Sequence, residues 1–154
     1  MAEPRVLLSD VPRGVWIENF HLTPGGELRL AGSSDWSITK RVLRGGVSDG
    51  VDLIEINNGA LAVSVLPTRG MGLWRGRYKG IALGWNSLVS QPVHPQFVNL
   101  ADRGGLGWLH GFNEWLCRCG LSWNGPPGDD NGAPLTLHGR IANLPAHRLE
   151  VSVS

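Results

Sequence analysis

The sequence predicts an all-β chain on three observations. Its 154 residues include 22 glycines and 10 prolines, too many breakers for long helices and without the strict period of collagen. Residues 51–57 and 60–66 alternate apolar and polar side chains on either side of Asn58-Gly59, a dipeptide suited to a tight hairpin. Elsewhere the apolar runs are short and bounded by turn residues, as in a chain of several brief strands.

Residues 1–35 read as an irregular lead. Pro4, Pro12, Pro24 and the Gly25-Gly26 pair break pieces such as Val6-Leu7-Leu8 before any period is set, leaving room for one or two edge strands. The body, residues 36–154, opens with a strand-like run from Trp36 to Leu43. In the hairpin, Val51, Leu53 and Ile54 are expected near a core, with Asp52 and Glu55 outward, while Leu61, Val63 and Val65 share one face of the return strand. Pro67-Thr68-Arg69-Gly70 interrupts the pattern, Leu73–Tyr78 resumes it, and Ile81–Trp85 is another short strand. Residues 86–112, rich in Gly, Pro, Trp, Phe and His, read as a long ordered loop, the kind of segment that carries function on a sheet scaffold. Glu114–Cys119 alternates again, which puts Trp115, Cys117 and Cys119 on one strand face. A turn over 124–134, a short strand at 135–138 and a terminal strand at 149–154 complete the chain. The last strand stops in mid-alternation, so a further pairing partner is expected, and the chain alone is expected to be marginally stable.

Composition narrows the function classes. With 42% apolar and 18% charged residues the chain is globular, and a net charge of +1 gives no field that would draw it to nucleic acid or an anionic membrane. The start Met-Ala-Glu-Pro-Arg lacks the basic and apolar regions of a secretory signal, and no stretch approaches about 18 unbroken apolar residues, so a cytoplasmic protein without a membrane partner is expected. Cys117 and Cys119, two residues apart, are expected to stay reduced and inert.

Several chemistries find no pattern. His21, His94, His110, His138 and His147 are scattered, and the two thiols lack a second Cys/His pair at zinc spacing, so neither metal nor other cofactor is expected. There is no Gly-X-Ser-X-Gly elbow, and Gly104-Gly105-Leu106-Gly107 lacks the order and the strand-to-helix setting of a phosphate loop. What remains is seven tryptophans among Arg69, Arg103, Arg118, Arg140, Glu114, His94, His110 and His138 without excess charge. That mixture suits a sugar, whose ring C–H groups pack on an aromatic face while planar donors and acceptors fix its hydroxyls. Trp residues in a Gly-rich β fold also serve as core plugs, and composition leaves both readings open.

Five segments together, Leu66-Pro67-Thr68-Arg69-Gly70-Met71, Pro92-Val93-His94-Pro95, Gly104–Leu109, Arg118–Leu121 and Leu137-His138-Gly139-Arg140-Ile141-Ala142-Asn143, resemble a poorly characterised bacterial branch of the aldose 1-epimerase (galactose mutarotase-like) superfamily. The resemblance spans roughly residues 36–154 and rests on the order of the motifs. It implies an antiparallel β-sandwich with an open concave sugar-binding face, of which this chain resembles the N-terminal half. It also implies acid/base ring opening of a monosaccharide or sugar derivative, without a cofactor. His138 takes the place of the first pocket histidine and is the candidate catalytic residue, where it would bind or orient the sugar. Arg69, His94, Glu114, Arg118, Arg140 and Asn143 are the candidate substrate-binding residues. The general-acid His and the base Glu of the superfamily come later than the positions present here, so a non-catalytic carbohydrate-binding relative and an inactive fragment stand beside the isomerase.

Overall fold

The computed structural model describes residues 5–24 and 35–153, so the expected Gly25-Gly26 turn lies outside the described residues. The fold is all-β and its strand pairs are antiparallel. In chain order the strands are β1 (Arg5–Asp10), β2 (Val15–Trp16), β3 (Phe20–Leu22), β4 (Ser37–Val42), β5 (Asp52–Asn57), β6 (Leu61–Leu66), β7 (Gly72–Tyr78), β8 (Ile81–Leu83), β9 (Gly128–Asp130), β10 (Ala133–Leu135) and β11 (Arg148–Ser152). Strands β3 to β8 form a six-stranded meander in sequence order, and β11-β1-β2 form a second, three-stranded sheet. Among the described residues no helix is long and apolar enough to cross a membrane.

The two sheets pack face to face. Leu8 and Leu149 from the smaller sheet meet Leu22, Ile38, Ile54 and Val65 from the larger, with Ile17, Phe20 and Leu73 at the margin. Burial of these side chains is the main driving force for closing the sandwich. The lead is therefore more regular than its prolines suggest, since β1 is the central strand of the second sheet. Leu8 is the extra residue of a β-bulge, between Leu7 opposite Glu150 and Ser9 opposite Leu149, and it is fully buried.

The hairpin forms as expected, with Ile54 opposite Val65 and Ile56 opposite Val63. Its turn lies one residue further on than Asn58-Gly59. The Asn58 N–H donates to the Leu61 carbonyl at 3.0 Å, so Gly59 and Ala60 are the two central residues. Gly59, at φ +88°, takes the first central position, where a two-residue hairpin turn can require a positive φ, and Asn58 Oδ1 accepts from the Leu61 N–H at 2.7 Å.

Asp52, expected outward, is buried. Register puts it on the core face beside Ile54 and Lys40, and its Oδ1 lies 2.7 Å from Lys40 Nζ. Lys40 is also buried; its ammonium donates to the Ile17 carbonyl at 2.8 Å and sits 4.2 Å from the centre of the Trp16 ring. A carboxylate, a carbonyl and an indole face thus compensate one desolvated cation. Leu53, of the opposite parity, is also buried, packing with Val51 and Leu66, so alternation about Leu53 points Asp52 outward although it shares the core face with Ile54.

Two other strands differ from expectation. Glu114–Cys119 is irregular, with Glu114 fully buried, Leu116 exposed, and Cys117 and Cys119 free and exposed. The strand expected at 135–138 is shifted back to β10, which pairs with β9 inside the expected 124–134 turn.

The Lys40–Asp52 pair generates a prediction. Lys40→Met leaves a buried carboxylate uncompensated and should cost about 3–5 kcal/mol in urea unfolding, whereas Lys40→Met with Asp52→Leu should recover most of that loss. Equal destabilisation by the single and the double variant would show that the charges do not act as a pair.

Candidate functional site

The second face of the six-stranded sheet is built by strand parity. Ser37 pairs with Asn57, Thr39 with Glu55, Glu55 with Ser64 and Ser64 with Arg75, so one polar side chain after another projects from the face opposite the core. A bulge adjusts this pattern. Val65 is opposite Leu73 and Ser64 opposite Arg75, leaving Trp74 as the extra residue of β7. Leu73 therefore reaches the core while Arg75 reaches the polar face, two residues on.

One end of this polar face is closed by apolar packing of Val51, Leu53 and Leu66 with Leu43 and Trp74. The rest is an open groove of about 930 Å³, walled by residues 84–87, by Val89 and Ser90 and by Asn113. Glu55 and Arg77 stand in it, and Arg75 lies 4.1 Å from the centre of the Trp74 ring. Trp85, on the wall, is 51% exposed. Its Nε1 donates to the Glu114 carbonyl at 2.9 Å, and its ring lies 5.3 Å from Phe112, which stacks on Trp108 at 4.3 Å. An exposed indole whose polar edge is already bonded and whose ring is braced from behind is a rigid apolar platform.

Behind the wall lies a buried polar knot, and four of the seven residues singled out from sequence meet there. Glu114 Oε1 accepts from Arg118 Nη2 at 2.8 Å and from Arg69 Nε at 3.4 Å, and Glu114 Oε2 accepts from the Asn113 N–H at 3.1 Å. Arg69 also donates through Nη2 to the Gly111 carbonyl at 2.9 Å and through Nη1 to Asn143 Oδ1. Arg118 Nη1 donates to the carbonyls of Arg69 and Gly70 at 2.5 and 2.6 Å. Arg69 and Glu114 are both fully buried. Burial pushes the Arg69 guanidinium below its ordinary value, Glu114 opposes the shift and Arg118 adds to it. Burial likewise lowers Arg118, against the pull of Glu114. Gly70 makes the knot possible: at φ +57° any side chain is strained, and a Cβ there would lie 2.2 Å from the Ile141 carbonyl oxygen and 2.9 Å from Arg118 Nη1.

The other three residues lie elsewhere. His94 Nδ1 accepts from the Gln96 N–H at 3.2 Å and caps the turn Pro95–Phe97. Arg140 is exposed at the head of the turn Ile141–Asn143. His138, in the left-handed region at φ +56°, sets its ring edge-on to Trp108 at 4.7 Å, with Nδ1 3.2 Å from the Asn124 carbonyl oxygen. None of the seven lines the groove. Sequence reasoning missed the groove residues Glu55, Arg75, Arg77 and Trp85; the outward position expected for Glu55 was the one local signal, and the bulge at Trp74 hid the parity of Arg75 and Arg77.

His138 also comes close to the two thiols, with one ring nitrogen and both Sγ atoms within 4.8 Å of one another. Partial desolvation of the otherwise exposed Cys117 thiol, and next the neighbouring Cys119, push it up, with Arg118 opposing.

The knot should behave as a stability element. Glu114→Gln leaves two buried guanidiniums without a counter-charge and should cost about 3–5 kcal/mol in urea unfolding. Arg69→Lys should cost nearly as much, because an ammonium cannot serve the three separate acceptors that the planar fork reaches. Midpoints within experimental error of the wild type would contradict the role assigned to Glu114.

The comparisons agree with this architecture. The family described as "Domain of unknown function (DUF4432)" matches residues 48–154, more than half of the chain. No curated protein matches. A crystal structure described as a "putative aldose 1-epimerase" from Klebsiella pneumoniae subsp. pneumoniae superposes with a TM-score of 0.92 at 37% identity, covering 99% of this chain and 40% of the neighbour. The chain thus spans well under two thirds of that neighbour's length and shares its all-β fold over the whole of its own. On the extent of the family match, this chain belongs to the DUF4432 family.

Proposed function

We propose that the polar groove binds a monosaccharide or sugar derivative, and that the protein is a carbohydrate-binding member of the aldose 1-epimerase type. The observation that carries the reading is Trp85, an exposed indole held rigid by the Glu114 carbonyl and by Phe112, facing a groove that also holds Glu55, Arg75 and Arg77. A sugar ring offers C–H groups to such a platform and hydroxyls to the carboxylate and guanidiniums. The volume of about 930 Å³ also suits a small ligand with room for water. The 37% identity to the neighbour described as an aldose 1-epimerase supports the same class of ligand.

Binding is the step we assign to these residues. Interconversion of anomers needs one group to protonate the ring oxygen and another to take the hydroxyl proton. Among the described residues, the groove lining supplies one carboxylate, Glu55, and no imidazole. Arg69, Glu114, Arg118 and Asn143 then serve as positioning residues, holding Asn113 and Trp85 at the wall from behind. Ring-opening isomerisation, with an acid from outside this lining, and a cytoplasmic site of action belong to the same proposal.

Titration of the chain with aldohexoses, followed by tryptophan fluorescence, should show saturable binding. Glu55→Gln and Arg77→Ala should each weaken it about tenfold, or about 1.4 kcal/mol, without moving the unfolding midpoint. No saturation with any aldohexose, or affinity unchanged in both variants, would remove the groove as the sugar site.

A further inference from the structure

The segments carrying Cys117, Cys119 and His138 are joined by backbone hydrogen bonds. The Gly120 N–H donates to the His138 carbonyl at 3.1 Å, the Ile141 N–H donates to the Gly120 carbonyl at 3.3 Å, and Gly120 pairs with Gly139 in an isolated bridge. These bonds bring an imidazole to a Cys-X-Cys pair that lies 19 positions earlier. Between the cysteines, Arg118 turns inward to Glu114 and to the carbonyls of Arg69 and Gly70, while both flanking thiols remain free and exposed.

We propose that Cys117, Cys119 and His138 bind a zinc ion through three protein ligands, with the fourth coordination position open. Bonds of about 2.3 Å to sulfur and about 2.0–2.1 Å to nitrogen put tetrahedral ligand atoms roughly 3.6–3.8 Å apart. The three atoms lie within 4.8 Å of one another, so contraction by about an ångström closes the set. Two thiolates and an imidazole are the soft and borderline donors that select zinc over calcium or magnesium.

The imidazole is already oriented. A carbonyl accepts only from N–H, so the contact between His138 Nδ1 and the Asn124 carbonyl, at 3.2 Å, places the proton on Nδ1, and Nε2 is then the nitrogen that would bind the metal. The edge contact with Trp108 restrains the ring further. Beside Cys119 runs a shallow recess formed by Leu121, Ser122, Trp123 and Asn124, into which a fourth ligand, water or a substrate oxygen, can reach. None of the three ligands lines the sheet groove, so the site stands independently of sugar binding there.

The test is equilibrium dialysis of the reduced 154-residue chain against zinc, with metal content read by mass spectrometry and coordination read by the visible spectrum of the cobalt form. One metal per chain is expected, with the intense d–d bands of a tetrahedral site and a thiolate-to-cobalt charge-transfer band. Cys119→Ser should lose the metal or bind it at least about tenfold more weakly and dim the charge-transfer band. His138→Asn, chosen because asparagine tolerates the left-handed backbone, should lose the metal likewise while keeping the native circular dichroism spectrum. Substoichiometric zinc in the wild-type chain, or zinc held equally tightly by both variants, would overturn the assignment.

Discussion

The carboxylate of Glu114 is the point on which the loop architecture depends. It faces Arg69 at the corner between β6 and β7 and Arg118 four residues along its own segment, and both of its oxygens are used. The partners of those guanidiniums, the carbonyls of Arg69, Gly70 and Gly111 and the side chain of Asn143, come from three separate stretches of chain. A long segment poor in regular structure thus acquires a fixed position from side-chain bonding in place of a ladder. Removing two guanidiniums and a carboxylate from water is expensive, and the charge-assisted bonds to both Glu114 oxygens offset that cost, although Arg118 Nε and Asn143 Nδ2 are buried without a partner among the described residues.

The groove inherits its order from that knot and its chemistry from the sheet. Trp85 is held through the Glu114 carbonyl, and Asn113 bonds to the Glu114 carboxylate and to the Val89 carbonyl. Polar side chains on the sheet need no such support, because strand register alone fixes their spacing. Rigid elements and a braced wall therefore meet at one surface, and a small ligand bound there would find its contacts already ordered.

The strands β4 to β8 of the meander were legible in the sequence, because alternation such as that over Asp52–Asn57 and Leu61–Leu66 is a local property. The buried charges were not. Asp52 follows the same parity as Ile54, and nothing in its immediate neighbours reveals that Lys40, on the adjacent strand, awaits it. Glu114–Cys119 failed for a related reason: Glu114 and Arg118 turn inward while Leu116, Cys117 and Cys119 are exposed, so the segment keeps no strand parity. Arg69, Glu114, Arg118 and Asn143 were singled out together, and the structure does unite them, but in a buried knot that residue types alone could not distinguish from an open site. The proximity of His138 to the thiols needed the pairing of Gly120 with Gly139, a long-range contact with no signature in local pattern.

The pairing of β1 with β11 bears on how the chain assembles. Arg5 lies opposite Ser152, so the smaller sheet cannot close until nearly all of the 154 residues are available. The meander from β3 to β8, by contrast, joins nearest neighbours and can form from short-range encounters as each hairpin emerges from the ribosome. During that interval the apolar side of Ile38, Ile54 and Val65 lacks the cover that Leu8 and Leu149 later provide. Vectorial synthesis thus leaves a sticky half-layer uncovered until residues 148–152 have been made and have paired with β1.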